Sequence, residues 1–297
     1  MLALITGSDG FVGPYLNNHL KEAGDKVIGL DRNNGPDLLE TEKWVDEFKK
    51  HQPEVVYHLA GWSNIASSWQ DPITSFDTNT KGTLSILNAA KVCDVKKVLV
   101  VSSADVYKNN SETLLTETHE TLPQSPYGAS KICSEVLAQQ FFQGYGLQTI
   151  VARPFNHIGV GQRTEFVASK FAKEIAQIEK NGAGKLTHGN LDAVRDFTNV
   201  KDVVAAYRLL VAEGRPGEIY NVCSGTGTKI KSLLDILLDQ SNSSIETIED
   251  STLYRPSDCP SRIGNPNKLI SQTGWSSHHQ LEETLFEILE HERKALT

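Results

Sequence analysis

The chain has 297 residues, 39% hydrophobic and 22% charged, with 22 glycines and 11 prolines. That balance supports one large or two small domains with a buried core and excludes a disordered or fibrous chain. Lys and Arg number 29 against 37 Asp and Glu, a net charge of −8, which argues against a nucleic-acid binder and against attraction to an anionic membrane surface.

Cys93, Cys133, Cys223 and Cys259 lie far apart with no CxxC pair, so reduced cytoplasmic thiols are expected rather than a disulfide scaffold or a metal site. The first structural motif follows Met1 so closely that no secretory leader is expected before it, and no apolar run is long enough to cross a bilayer.

Short apolar runs at Leu2–Thr6, Val27–Leu30, Val55–Leu59, Val98–Ser102 and Thr149–Ala152 read as buried strands. Between them Tyr15–Ala23, Thr41–Lys50, Thr83–Val92 and Tyr127–Tyr145 carry apolar residues at helical spacing. This alternation predicts an α/β fold, a Rossmann-like doubly wound parallel sheet whose strands are apolar because helices cover both faces. After about residue 155 the segments shorten and Gly, Thr and Asn become common. A smaller, interleaved C-terminal domain is expected over most of 156–297, with Val194–Val211 read as one more strand–helix unit returning to the first sheet. The first domain is thus residues 1–155 plus about 191–213. Loops are expected at Asn181–Gly184 and Gln240–Ser244. A last amphipathic helix is expected at Leu281–His291, with Leu281, Leu285, Ile288 and Leu289 on one face.

The first strand runs into Thr6-Gly7-Ser8-Asp9-Gly10-Phe11-Val12-Gly13 and then a helix. GxxGxxG at that place can bind a dinucleotide: Gly7 makes the tight turn, Gly10 admits a pyrophosphate to the backbone, and Gly13 lets helix and strand pack closely, with Phe11 and Val12 at the helix N-terminus. Asp31, eighteen residues past Gly13 at the end of the second strand, can accept the ribose hydroxyls of NAD, whereas the adjacent Arg32 can pair with the 2′-phosphate of NADP, so both cofactors stay open. A strand-end turn would also explain Asp31. Asp37 and Leu38 can flank the adenine, though Asp37 serves equally as a helix N-cap. Leu59 and Ala60, in His58-Leu59-Ala60-Gly61, offer a small-residue strand end beside the cofactor or a close packing contact.

Ser103 ends the fourth strand, and Ser125-Pro126-Tyr127-Gly128-Ala129-Ser130-Lys131 opens a helix that Ser125 can cap. Tyr127 and Lys131 are four apart and share a face. The lysine cation and the helix N-terminus would both favour the phenolate, drawing the tyrosine's acidity toward neutral so that it exchanges a proton with a sugar oxygen, which Ser103 can also hydrogen-bond.

Together these motifs resemble the extended short-chain dehydrogenase/reductase family, whose members act on nucleotide sugars; the resemblance spans essentially the whole chain. It implies a triad of Ser103, Tyr127 and Lys131, with Tyr127 and Lys131 also touching the cofactor. Arg153-Pro154-Phe155-Asn156-His157-Ile158-Gly159-Val160-Gly161-Gln162, Gly189–Thr198, Tyr220–Gly225 and Tyr254-Arg255-Pro256-Ser257-Asp258 resemble the family's GDP-4-dehydro-6-deoxy-D-mannose reductases. By that resemblance Asn156 and Arg195 meet the diphosphate, Arg255 a phosphate and Asp258 the ribose, with Lys170 near the nucleotide and Ser103 on the sugar. Without it, Arg195 with Asp196 reads as a structural ion pair, and Arg255 with Asp258 as a loop clasp. Lys108 replaces a usual glycine and Val160 a usual proline. Asp105 stands where the family's GDP-mannose 4,6-dehydratases carry a glutamate.

The implied activity is NAD(P)H-dependent reduction of a GDP-sugar C4 ketone, forming GDP-D-rhamnose. The alternatives are a GDP-mannose 4,6-dehydratase, a nucleotide-sugar 4-epimerase and a cofactor-sensing binding protein. The resemblance also implies a homodimer through the helices near Thr83–Val92 and Tyr127–Tyr145.

Overall fold

A computed structural model describes residues 1–109, 114–241, 243–254 and 259–296. In chain order the first half forms β1 (Leu2–Thr6), α1 (Val12–Glu22), β2 (Lys26–Leu30), α2 (Thr41–His51), β3 (Val55–His58), α3 (Ile65–Gln70), α4 (Pro72–Phe76), a π-turn at Asp77–Lys81, α5 (Gly82–Val92), β4 (Lys97–Val101), α6 (Pro126–Tyr145) and β5 (Thr149–Pro154). The strands lie parallel in the order β2-β1-β3-β4-β5, and Ile219–Val222 joins beside β5 as a sixth. The reversal of order about β1 is that of a Rossmann-like sheet.

Successive strand residues point to opposite faces. Ala3, Ile5, Tyr57, Leu99 and Ile150 pack on one side against Leu16 and Leu20 of α1, while Leu4, Val56, Val98, Val100 and Val151 pack on the other against Trp44, Phe48, Ile86, Leu87 and Phe141. Apolar residues on both faces therefore follow from the two helical layers.

The second half forms β6 (Asn156–Ile158), α7 (Val167–Asn181), β7 (Lys185–His188), β8 (Val194–Asn199), α8 (Val200–Glu213), β9 (Ile219–Val222), β10 (Gly227–Lys229), α9 (Ile230–Asp239), β11 (Glu246–Glu249), β12 (Ser261–Arg262), α10 (Asn267–Thr273) and α11 (Leu281–Ala295). A separate core joins Phe171 and Ile175 of α7, Leu233 and Leu237 of α9, and Leu285, Ile288 and Leu289 of α11, with Leu281 partly buried beside them.

The unit expected at Val194–Val211 is divided. Its helix, α8, packs on the large sheet through Val203, Tyr207 and Leu210, but its strand, β8, pairs with β6, β10 and β12 in a small sheet. The strand that returns to the large sheet is β9. In the small sheet Asp196 is fully buried and is satisfied by the amides of Ser224, Gly225 and Gly264 rather than by water.

Candidate active site

The loop after β1 is shaped by what its glycines exclude. Gly7 has φ +76°, and a Cβ there would lie 2.7 Å from the Ala60 amide nitrogen. A Cβ on Gly13 would lie 2.2 Å from the Ser8 carbonyl oxygen. α1 starts at Val12, directly on this loop, and no side chain caps it; Pro14 has no N–H and the Gly13 amide donates to the Gly10 carbonyl at 3.2 Å, so within the first three helical positions Val12 is the amide left for an external anion. The Phe11 ring stacks on His157 at 6.0 Å between centres, and Tyr15 donates to the Val160 carbonyl at 2.8 Å, tying the loop to β6 and the turn after it. Leu59 and Ala60 border it; the Ala60 amide donates to Thr6 Oγ1 at 3.3 Å.

Asp31 accepts from the Asp9 amide at 3.0 Å and the Arg32 amide at 2.7 Å, so it braces the glycine loop from the end of β2. Arg32 is exposed. Asp37 accepts from the Leu39 amide at 2.9 Å, in a turn of its own, and the N-cap position of α2 belongs to Glu40. The capping role considered for Asp37 is therefore not met: the helix begins three residues too late. Leu38 packs against Gly82, where an added Cβ would lie 3.0 Å from the leucine Cβ.

Ser103, Tyr127 and Lys131 converge at the C-terminal end of β4, which Ser103 follows and whose Val101 carbonyl Lys131 reaches. Ser125 caps α6 by accepting from the Gly128 amide at 3.0 Å, as the Ser-Pro opening predicts. Gly128 lets the helix approach the Ser103 turn, since a Cβ would lie 2.5 Å from the Asp105 carbonyl oxygen. Ser103, Tyr127 and Lys131 are 8%, 7% and 8% exposed, so all three sit where electrostatic effects are weakly screened.

The acidity of Tyr127 departs from expectation. Burial pushes the phenol up, the Asp105 charge pushes it the same way, and only a hydrogen bond with Ser103 draws it down. Lys131 does not offset this, because its ammonium donates to the Val101 carbonyl at 2.9 Å and stands 6.0 Å from the phenol ring centre. Lys131 is itself lowered to about 8 by burial, against the Glu135 charge, which raises it.

Behind the triad lies a buried pair that sequence reasoning missed. Arg153 donates to Glu135 from Nε at 2.7 Å and from a terminal nitrogen at 2.6 Å, with the two side chains 3% and 2% exposed. Ser102 donates to the same carboxylate at 2.5 Å. Glu135 follows Lys131 by one helical turn, and that i,i+4 spacing was its only local signal. A second missed residue is Arg262, paired with Asp105 beside Ser103; nothing local in the sequence marks it.

The residues expected around the second nucleotide are spread over the second half of the chain. Asn156 is exposed at the start of β6. Lys170 on α7 donates to the Thr187 carbonyl at 3.4 Å and lies 3.7 Å from Glu174. Arg195 on β8 donates to the Cys259 carbonyl at 2.7 Å. Its neighbour Asp196 faces the other way and accepts from the amides of Ser224, Gly225 and Gly264, so the two form no ion pair with each other. Arg255 and Asp258 lie outside the described residues. Among the described residues, no group of three or more His, Cys, Asp or Glu side chains could hold a metal ion, and no helix is long and apolar enough to cross a membrane.

The chain is similar to known proteins along nearly its whole length. Residues 34–288 match the family described as GDP-mannose 4,6 dehydratase. The GDP-6-deoxy-D-mannose reductase of Pseudomonas aeruginosa is 36% identical over 96% of this chain and 95% of its own. The GDP-6-deoxy-D-talose 4-dehydrogenase of Aggregatibacter actinomycetemcomitans is 30% identical over 92% of each. The structure of RMD from Pseudomonas aeruginosa complexed with NADPH superposes with a TM-score of 0.92 at 33% identity, covering 99% of this chain and 100% of that one. With the sheet order, the glycine loop and the Ser103–Tyr127–Lys131 grouping, these likenesses show that the chain belongs to the GDP-mannose 4,6-dehydratase family of extended short-chain dehydrogenase/reductases.

Proposed function

We propose that this chain is an NAD(P)-dependent oxidoreductase that reduces the C4 ketone of GDP-4-dehydro-6-deoxy-D-mannose to GDP-D-rhamnose. The observation that carries the reading is a buried Ser103–Tyr127–Lys131 grouping beside a glycine loop, in a chain 36% identical to a GDP-6-deoxy-D-mannose reductase over 96% of its length.

The loop fits a dinucleotide, because the positions of Gly7 and Gly13 admit no side chain and the uncapped start of α1 presents the Val12 amide. Gly7, Gly10, Phe11, Val12 and Gly13 would hold its diphosphate, Asp31 and Arg32 its adenosine ribose, Asp37 and Leu38 its adenine, and Leu59 and Ala60 its inner edge. When bound, a nicotinamide cofactor supplies the hydride that C4 receives. Tyr127, which burial keeps protonated, gives its proton to the new C4 oxygen. Lys131 is assigned to the nicotinamide ribose and, as a cation, to tuning Tyr127, a role it takes up once its ammonium leaves the Val101 carbonyl. Ser103 hydrogen-bonds the ketone oxygen and orients it. Asn156, Lys170, Arg195, Arg255 and Asp258 are assigned to the GDP side, arginines to phosphate and the carboxylate to ribose.

Purified protein with the 4-keto GDP-sugar and NAD(P)H should consume the reduced cofactor, and NMR should show the rhamno product; no loss of NAD(P)H absorbance rejects the reading. Incubation with GDP-mannose and no reductant separates the runner-up, since only a dehydratase accumulates the 4-keto product.

The same reading has two lobes, the large sheet taking the cofactor and the smaller lobe the GDP-sugar. It includes a cytoplasmic homodimer. Supporting it, all four cysteines are free, and Ile73 of α4, Leu84 of α5 and Val136 of α6 are 74%, 43% and 60% exposed, apolar surface that a second copy can cover. Light scattering at working concentration tests the dimer, and cell fractionation the location.

A further inference from the structure

The Ser103 turn is held from across the fold. Arg262 lies on β12, where parallel pairing aligns it with Arg195 of β8. Its side chain is 11% exposed; one terminal nitrogen pairs with Asp105 Oδ1 and the other donates to Asn109 Oδ1 at 2.8 Å. The remaining oxygen of Asp105, Oδ2, accepts the Ser103 hydroxyl at 3.3 Å, long for an O–H···O bond.

A serine hydroxyl has one proton. In the reductase reading that proton belongs on the C4 ketone oxygen, yet a carboxylate beside it is the stronger acceptor and competes for it. The guanidinium engages Asp105 at the other oxygen, and the Asp105 contact with Ser103 stays long. We propose that Arg262 is a positioning residue for the reduction: by anchoring Asp105, it leaves the Ser103 proton available to the substrate. The inference rests on the reductase reading for the identity of that substrate, but the anchoring is a property of the protein alone. No other described residue places a cation on Asp105.

The experiment uses the full-length protein and the variants Arg262→Met, Arg262→Lys and Arg262→Met/Asp105→Asn, each checked for a wild-type-like melt. With the 4-keto GDP-sugar and NADPH, Arg262→Met should lose about tenfold in kcat, a fraction of what removal of a whole oxyanion donor costs, with the KM for NADPH unchanged. Arg262→Lys should fall between, and adding Asp105→Asn should restore most of the loss, because the competing charge is gone. A wild-type kcat in Arg262→Met, or a double variant no faster than the single, overturns the proposal. Crystal structures of wild type and Arg262→Met give a readout without turnover. The Ser103–Asp105 contact should shorten to about 2.7 Å in the variant, and an unchanged contact also overturns the proposal. An inert wild-type protein whose variant still shows that shortening sinks the reductase reading and leaves the anchoring intact.

Discussion

Tyr127 and Lys131 stand one turn apart on α6, with the ammonium 6.0 Å from the phenol ring centre and turned onto the Val101 carbonyl at 2.9 Å. In this arrangement burial keeps the phenol protonated, and the lysine cation is held by the strand rather than by the tyrosine.

Tyr127→Phe removes that proton and little volume. Turnover should fall by about 10²- to 10⁴-fold, the worth of a positioned acid, while NADPH binding, read by fluorescence titration, is retained. A variant within tenfold of wild type would take the proton-donor role away from Tyr127.

Lys131 is lowered to about 8 by burial. Its cation is thus the form present below that pH and is lost above it. Turnover should decline above about pH 8 with a one-proton slope, and Lys131→Met should be slow at every pH with no such inflection. A flat profile from pH 7 to 9 in the wild-type protein contradicts this.

Gly13→Ala drives a Cβ to 2.2 Å from the Ser8 carbonyl oxygen, a backbone atom that cannot rotate aside. The cost should be about 1–3 kcal/mol from overpacking, seen as a lower melting temperature, together with loss of the thermal shift that the nicotinamide cofactor should give the wild type. Retention of that shift would show that the loop can open without harming the site.

Glu135→Gln leaves the Arg153 guanidinium, 3% exposed, without its counter-charge. Breaking a buried pair in this way costs about 3–5 kcal/mol, measurable by denaturant unfolding. The double variant Glu135→Gln/Arg153→Met should recover part of the loss, since the orphaned charge is then absent.

His58 is lowered to about 3, first by burial and then by the charge of Lys131. The unfolded chain takes up this proton near pH 6.5, whereas the folded chain refuses it until far lower pH. Stability from this group is thus complete above pH 6.5 and lost as pH falls, by about 1.4 kcal/mol per unit. His58→Asn should flatten the decline between pH 7 and 5 relative to wild type.

Much of the fold could be read in advance because it is written locally. The alternation of apolar strands with helical periodicity reports that both faces of a sheet are covered. The Ser125-Pro126 opening marks the start of α6, and the glycine spacing marks the loop before α1. The misplaced strand, β8, was hidden because pairing partners are not encoded in a strand's own residues; its charges are no guide, since β5 of the central sheet carries the buried Arg153. Asp37 lost its capping role through a shift of helix start that no local pattern dictated.

The sequence by itself therefore determined the Rossmann-like scaffold, the glycine loop, and the placing of Tyr127 and Lys131 on one helix face, all set by spacing within a few turns of chain. Only the tertiary structure decided which charges meet. Arg262 reaches Asp105 across 157 positions, Arg153 reaches Glu135 from strand to helix, and Lys131 turns to a strand carbonyl rather than to its tyrosine. Such pairings depend on sheet register and the packing of α6, and the acidity of Tyr127 depends on how completely that packing removes water, a quantity no local spacing contains.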